Sequence, residues 1–161
     1  MMAGGTWMPR EQWDALVRGE SCPLCATIAS QEISDDYGHT VADLSMGRLR
    51  LCANQSIPGY CVFISRIHVC EPYELSSRQR VAFFEELMQV GQALERAFQA
   101  VKLNFEILGN AVPHLHCHIK PRYYDDPAPG YPINPDDRLV LLTAAEYQER
   151  VAAIRREVRW T

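Results

Sequence analysis

No stretch of the sequence approaches the ~20 consecutive apolar residues of a membrane span, and neither sign of charge dominates it. Sixteen Lys and Arg stand against twenty Asp and Glu, a formal net charge of -4 with histidine neutral. No global basic field therefore favours a nucleic-acid polymer, although a local cationic site could still take a phosphate. The start, MMAGGTWMPREQW, has neither a basic segment nor an apolar stretch, and predicts no secretory signal. Internal repeats, low-complexity tracts and dividing linkers are missing too. The 161 residues thus read as a single domain, 1–161, with enough mass for a real core. Six cysteines without a signal segment suggest a reducing compartment, where thiols stay free or bind metal, and the expected location is cytoplasmic.

What is present is ordinary in amount and informative in order. Hydrophobic residues make up 47% and charged residues 22%, as in a soluble globular protein. PREQWDALVRGE (9–20) opens on proline and closes near glycine, which predicts a short helix. From 38 to 67 the runs HTVADLS, GRLRLC and GYCVFISRI read as strands. Over 77–101, Val81, Phe84, Leu87, Met88, Gly91, Leu94, Phe98 and Val101 recur at helical steps, behind a capping box of Ser76 and Gln79. Leu103, Phe105 and Ile107 then alternate with polar residues, predicting a half-buried strand that turns at Gly109-Asn110 into the segment VPHLHCHIKPR. Prolines at 121, 127, 129, 132 and 135 mark an irregular excursion, and Thr143 with Glu146 caps a final helix, about 143–157. The fold class is α+β, a mainly antiparallel sheet with one long packed helix and short terminal helices.

Only five histidines occur, and three of them, His114, His116 and His118, fall within five residues at alternate positions. On a strand, alternate side chains share a face. That places the three with Lys120, opposite Leu115, Cys117, Ile119 and Pro121. The outer two would lie ~13 Å apart at ~3.3 Å per residue. Metal–nitrogen bonds are only ~2 Å, so one ion cannot take all three without a sharp bend. Different roles explain the row better than a solvated polar face. His116, flanked on both sides, is best placed to present a ring nitrogen to a substrate, provided its other nitrogen is held by a hydrogen bond. Cys22-x-x-Cys25 by itself admits zinc, a redox pair or coincidence. The thioredoxin-like βαβ pattern expected beside a redox pair is missing, and a structural zinc needs four ligands.

HLHCHIK resembles the His-φ-His-φ-His-φ-φ motif (φ apolar) of the histidine triad superfamily, with Lys120 standing in the last slot. SCPLC near the start, IPGYCVFISRIHV (57–69), a long helix, NFEILGN and the triad follow the order of the small hydrolases of that superfamily, over roughly residues 20–122. The remaining Pro-rich excursion and helix, 123–161, lie beyond it. The resemblance implies that His116 is the nucleophile. It would attack the α-phosphorus of a nucleotide derivative to form a nucleotidyl-histidine, which water resolves to a nucleoside monophosphate. It implies that His118 helps bind the phosphate and orient His116. Backbone amides near 109–110 and Arg122 would steady charge on the phosphate oxygens.

Some histidine triad proteins, and the related galactose-1-phosphate uridylyltransferases, carry a Cys-x-x-Cys whose zinc is completed by a histidine after the PG strand and by the first histidine of the triad. Similarity to these implies Cys22, Cys25, His68 and His114 as ligands of a structural Zn2+. His114 would then anchor metal, His116 react and His118 orient. His39 is expected at the surface, and Cys52, Cys61, Cys70 and Cys117 in the core.

The segment LGNAVPH is shorter than the corresponding loop of many nucleotide-binding members. Asn110 is the nearest candidate to protonate the leaving group, and Asn54 or Gln55 to meet the ribose. Lys120 could widen the positive field at the phosphate or be solvated. The function implied is hydrolysis at the α-phosphate of nucleoside phosphoramidates or dinucleoside polyphosphates. The alternatives are nucleotidyl transfer by the same histidine and a zinc-stapled nucleotide-binding protein with little turnover; a metal-dependent hydrolase is a more distant one. The partner expected is a nucleotide, with a homodimer through the long helix and an adjacent strand. Phe83 and Phe84, side by side, would give that helix apolar surface on more than one face.

Overall fold

The computed structural model describes residues 6–158. Its strands are β1 (Ser34–Asp35), β2 (Gly38–Asp43), β3 (Gly47–Cys52), β4 (Cys61–Ser65), β5 (Lys102–Glu106) and β6 (His116–Arg122). They form one antiparallel sheet in the order β1-β2-β3-β4-β6-β5. Helices α1 (Arg10–Val17) and α2 (Pro23–Ala29) precede the sheet, α3 (Ser77–Phe98) lies between β4 and β5, and α4 (Ala144–Glu157) closes the described chain. The α+β architecture expected from the sequence is the one observed. No helix among the described residues is long and apolar enough to cross a membrane.

Strand alternation divides the sheet into two chemically distinct faces. Leu49, Leu51, Cys61, Phe63, Cys117 and Ile119 are fully buried on one of them. Against these pack Phe83, Leu87, Val90 and Leu94 of α3 and Tyr147, Val151 and Ile154 of α4. Each such side chain contributes about 1.5–3 kcal/mol by leaving water. Both capping boxes form. The Gln79 N–H donates to Ser76 Oγ (3.3 Å) and the Ser76 N–H to Gln79 Oε1 (3.0 Å), and Thr143 and Glu146 repeat the exchange.

The other face carries the polar rows. Register aligns Glu106, His118, Val62 and Arg50 across four strands, and His116, Ile64 and Arg48 beside them. Arg48 and Arg50 are buried here, and each holds a connection in place. Arg48 donates Nη1 to the carbonyls of Thr27 (2.6 Å) and Ser30 (3.0 Å), fastening the end of α2, and pairs with Asp43. Arg50 pairs with Asp35 (2.7 Å) and donates to the Gly38 carbonyl, fastening the β1–β2 turn.

Several expectations shift. Helix α3 stops at Phe98 rather than 101, because Gln99 turns left-handed (φ 54°) as its C-cap. Its buried face is centred on Phe83, Leu87, Val90 and Leu94, so Val81 and Met88 of the expected stripe face outward. The helix packs on the sheet and on α4 together, which rotates the stripe toward both. Phe83 is fully buried rather than part of a second apolar face, and Phe84 is half-buried. Cys22 and Cys25 lie at the start of α2, a helix the sequence reading did not anticipate. Cys61 and Cys117 are core residues, whereas Cys52 and Cys70 are only partly buried. His39 is partly buried and stacks on Tyr147 at 4.2 Å between ring centroids. Strand β6 begins at His116, not at His114.

Candidate active site

The last difference matters most. Before β6 the chain is held by the 65–69 segment: the Leu115 N–H donates to the Val69 carbonyl (2.6 Å) and the Ser65 N–H to the Leu115 carbonyl (3.0 Å). His114 therefore leaves the row it was expected to share. Its ring Nε2 donates to the Ser65 carbonyl at 2.8 Å, and its Nδ1 faces Cys22, Cys25 and His68. The sharp bend that a shared role would require is present, and it separates the first histidine from the other two.

His116 and His118 remain on the strand, rings 4.9 Å apart and nearly perpendicular. The backbone carbonyl of His114 lies 2.5 Å from His116 Nδ1. A carbonyl can only accept, so Nδ1 carries the hydrogen and Nε2 keeps a lone pair. His118 Nδ1 lies 2.7 Å from the hydroxyl of Tyr60, which the turn at Gly59 (φ 79°) delivers to the end of β4. Burial lowers the pKa of His116, opposed by its bond to the His114 carbonyl. Burial, with the charges of His116 and Lys120, lowers that of His118 to about 4. Both rings are thus neutral near pH 7, the form an attacking imidazole needs. Ring titration by NMR should place the His118 midpoint near 4. Between about pH 6.5 and 4 the unfolded chain takes up a proton here that the folded chain refuses. This site's contribution to stability is therefore complete above pH 6.5 and falls as the pH drops through that window.

These histidines line a groove of about 880 Å³. Val62, Ile64, Cys52 and Arg50 contribute from β3 and β4, α2 supplies one wall, and Leu108 to Val112 supply another. Asn110 is in that second wall, in the same groove as both histidines. An apolar floor with a few polar groups converging at one end is the usual character of a small-molecule site.

Cys22, Cys25, His68 and His114 place one ligand atom each within 4.8 Å of one another. The two Nδ1 atoms are 3.1 Å apart, and sulfur–nitrogen separations are 3.3–3.4 Å. Tetrahedral bonds of ~2.0 Å to nitrogen and ~2.3 Å to sulfur give edges of about 3.3 and 3.5 Å, close to these values. The second nitrogen of each ring supports the fit. His68 Nε2 donates to the Val17 carbonyl (3.0 Å) and His114 Nε2 to the Ser65 carbonyl, so both Nδ1 atoms present lone pairs to one point. Two lone pairs facing at that distance repel unless a cation lies between them.

Four expected residues sit elsewhere. Arg122 ends β6, where its guanidinium meets Asp126, Asn104 Oδ1 and the carbonyls of Ala128 and Tyr131, and it lines a separate cavity rather than the groove. It clamps the Pro-rich excursion onto the sheet. Arg122→Leu should therefore destabilise the fold, by about 3–5 kcal/mol if the buried carboxylate is left unpaired. Nucleotide affinity should stay within about twofold, as paired denaturation and binding titrations would test. Asn54 is also structural. Its amide donates to the Pro135 and Arg138 carbonyls, and its oxygen accepts from the N–H groups of Ser56 and Val140. Gln55 is buried and bonded to the Cys52 and Tyr60 carbonyls. Lys120 is neither solvated nor at the groove, because its ammonium pairs with Glu106 at 2.7 Å and donates to the Ile133 carbonyl. The excursion covers this end of the histidine face, and a chain returning from residues far along the sequence leaves no local signal. Tyr60 was missed for a related reason: it meets His118 across a strand pair. Its parity with Val62 and Ile64, both on the groove face, was the one available hint.

Residues 46–125 match the model of the HIT domain. Protein hit of Bacillus subtilis (strain 168) is 27% identical over 113 residues, covering 65% of this chain and 72% of that protein. A histidine triad protein from Bradyrhizobium japonicum is 27% identical with a TM-score of 0.70, over 76% of this chain and 92% of its own. A Zn-bound histidine triad family protein from Mycobacterium smegmatis shares the fold at 16% identity and a TM-score of 0.61, over 86% and 93% of the two chains.

Proposed function

From the premise that this chain is a histidine triad protein, carrying the HIT domain at residues 46–125, we propose that it is a nucleotide hydrolase. It acts at the α-phosphate of nucleoside phosphoramidates or dinucleoside polyphosphates. The observation that carries this reading is the 2.5 Å contact from His116 Nδ1 to the His114 carbonyl, which leaves Nε2 as a lone-pair donor in the groove. Nε2 of His116 attacks the α-phosphorus, a P–N bond forms, and the bond to the leaving group breaks with its electron pair. Positive charge then develops on the ring and is steadied through Nδ1–H by the same carbonyl. Water displaces the imidazole, releasing the nucleoside monophosphate and restoring His116. His118 lies beside the reacting nitrogen, where it can meet a phosphate oxygen, and Asn110 with the 109–111 backbone faces the same space.

Cys22, Cys25, His68 and His114 would hold a Zn2+ ion. A closed Cys₂His₂ set supplies structural cross-linking rather than an open position for water. The proposed setting is the cytoplasm. A homodimer is the proposed assembly, through α3, where Met88 is exposed, and the sheet edge at β5, where Phe105 and the following Ile107 and Leu108 are exposed.

The test is release of nucleoside monophosphate from adenosine 5′-phosphoramidate and from diadenosine tetraphosphate. Acid quench would trap label from the α-phosphate on the protein. Adduct and product at matching rates would support hydrolysis, and product diverted to added phosphate or hexose phosphate would indicate transfer instead. Binding with neither adduct nor product would leave a zinc-stapled binding protein, the reading that the short 109–113 connection favours.

A further inference from the structure

The groove holds two adjacent imidazoles whose Nδ1 atoms meet opposite kinds of partner. For His116 the partner is a carbonyl, which accepts. For His118 it is the Tyr60 hydroxyl at 2.7 Å. We propose that Tyr60 is a positioning residue: it donates its hydroxyl hydrogen to His118 Nδ1 and thereby holds His118 in the tautomer with hydrogen on Nε2. The inference rests on the hydrolase reading for its consequence, but not for its geometry.

The direction of the bond follows from what surrounds the phenol. Tyr60 is only 7% exposed, and its hydroxyl meets His118 Nδ1 at 2.7 Å, with the Cys52 thiol as its other polar neighbour. If Nδ1 carried the hydrogen and donated to the phenol oxygen, the hydroxyl hydrogen would be left with only the Cys52 sulfur, a weak acceptor, in place of an imidazole nitrogen. A buried donor without a good acceptor is the rarer and costlier case, whereas an oxygen lone pair tolerates being unmatched. The phenol is firmly protonated, since burial first and then nearby Cys52 and carboxylates raise its pKa. His118 stays neutral and can accept, because burial lowers its own. The tilt of the two rings, 30° with centroids 5.9 Å apart, keeps them packed as well as bonded.

The consequence is a division of labour that neither ring has alone. The His114 carbonyl leaves His116 with a lone pair on Nε2 for phosphorus, while Tyr60 leaves His118 with an N–H on Nε2 for a phosphate oxygen. Were His118 to take the other tautomer, two lone pairs would face the same negatively charged group. An unlocked imidazole samples both forms, so the hydroxyl selects the productive one. Tyr60 itself does not line the groove and touches the reaction only through His118.

The experiment compares wild type, Tyr60→Phe and Tyr60→His by ring-nitrogen NMR and by turnover of adenosine 5′-phosphoramidate. Phenylalanine preserves the packing and removes the hydrogen; histidine can restore a donor. In wild type the His118 signals should show Nε2 protonated and Nδ1 bare, and in Tyr60→Phe they should move toward a tautomer mixture. The value of kcat should fall about tenfold with KM within about twofold, the rate equivalent of one hydrogen bond's net worth, and Tyr60→His should recover most of it. Wild type with Nδ1 protonated, or Tyr60→Phe with an unchanged tautomer, would overturn the proposal. The expected tautomer change in a protein that releases no monophosphate would instead overturn the hydrolase reading and leave the role of Tyr60 standing.

Discussion

His116→Ala should lower release of nucleoside monophosphate by at least about 10⁴-fold, the scale seen when a nucleophile that forms a covalent intermediate is removed. Nucleotide affinity should change only a few-fold, because the groove walls at α2 and 108–112 and the floor at Val62 and Ile64 remain. The substitution removes a polar ring that lines the groove and leaves the apolar face of the sheet untouched, so its effect on stability should be modest. Equilibrium binding by calorimetry and single-turnover kinetics on the same preparation would separate the two quantities. Loss confined to kcat is the signature of a group that acts in the transition state, whereas a matching loss of affinity would mean that His116 only holds the ligand. Turnover persisting near the wild-type rate would remove the nucleotidyl-histidine mechanism altogether.

Stripping metal from the Cys22, Cys25, His68 and His114 cluster should produce the second large effect. One equivalent of zinc is expected per chain, lost in Cys25→Ser. Structural zinc sites contribute folding energy directly. Loss of even 4 kcal/mol would lower the melting temperature by on the order of 10 °C in a chain of this size. The cluster reaches across the fold: His68 also takes the Val17 carbonyl and lies against Gly19, so α1 and α2 are tied through it to the segment before β6. His114 is the joint between the two sites, since its ring completes the cluster and its carbonyl sets the His116 tautomer. Metal loss should therefore lower kcat as well as stability. Cadmium or cobalt should restore both, because placement of His114 is what the reaction needs from the cluster. Recovery of the fold with cadmium but not of activity would point to a metal that takes part in the chemistry.

Much of this site is legible in the chain itself. The scarcity of histidine made three at alternate positions informative, and Cys22, Cys25, His68 and His114 do converge on one point. The long helix, both capping boxes and the strand pattern are local properties, written in periodicity and in residues three apart. The misplacements share one cause. Arg122, Asn54 and Lys120 are polar residues whose partners come from the 126–138 excursion, and no pattern in the chain announces where an irregular segment lands. The face of α3 also depended on having two packing partners rather than one.

By itself, then, the sequence determined the elements, the fold class and the chemistry of the ligating and reacting side chains, because those follow from short-range steric preference and from functional groups. Only the tertiary structure decided which histidine does what. The pairing of Leu115 with Val69 and Ser65 bends His114 off the strand, its carbonyl then fixes one imidazole, and the Tyr60 hydroxyl meets the other from the residue just before β4. A tautomer is set by the partner of a ring nitrogen, and that partner is a neighbour in space.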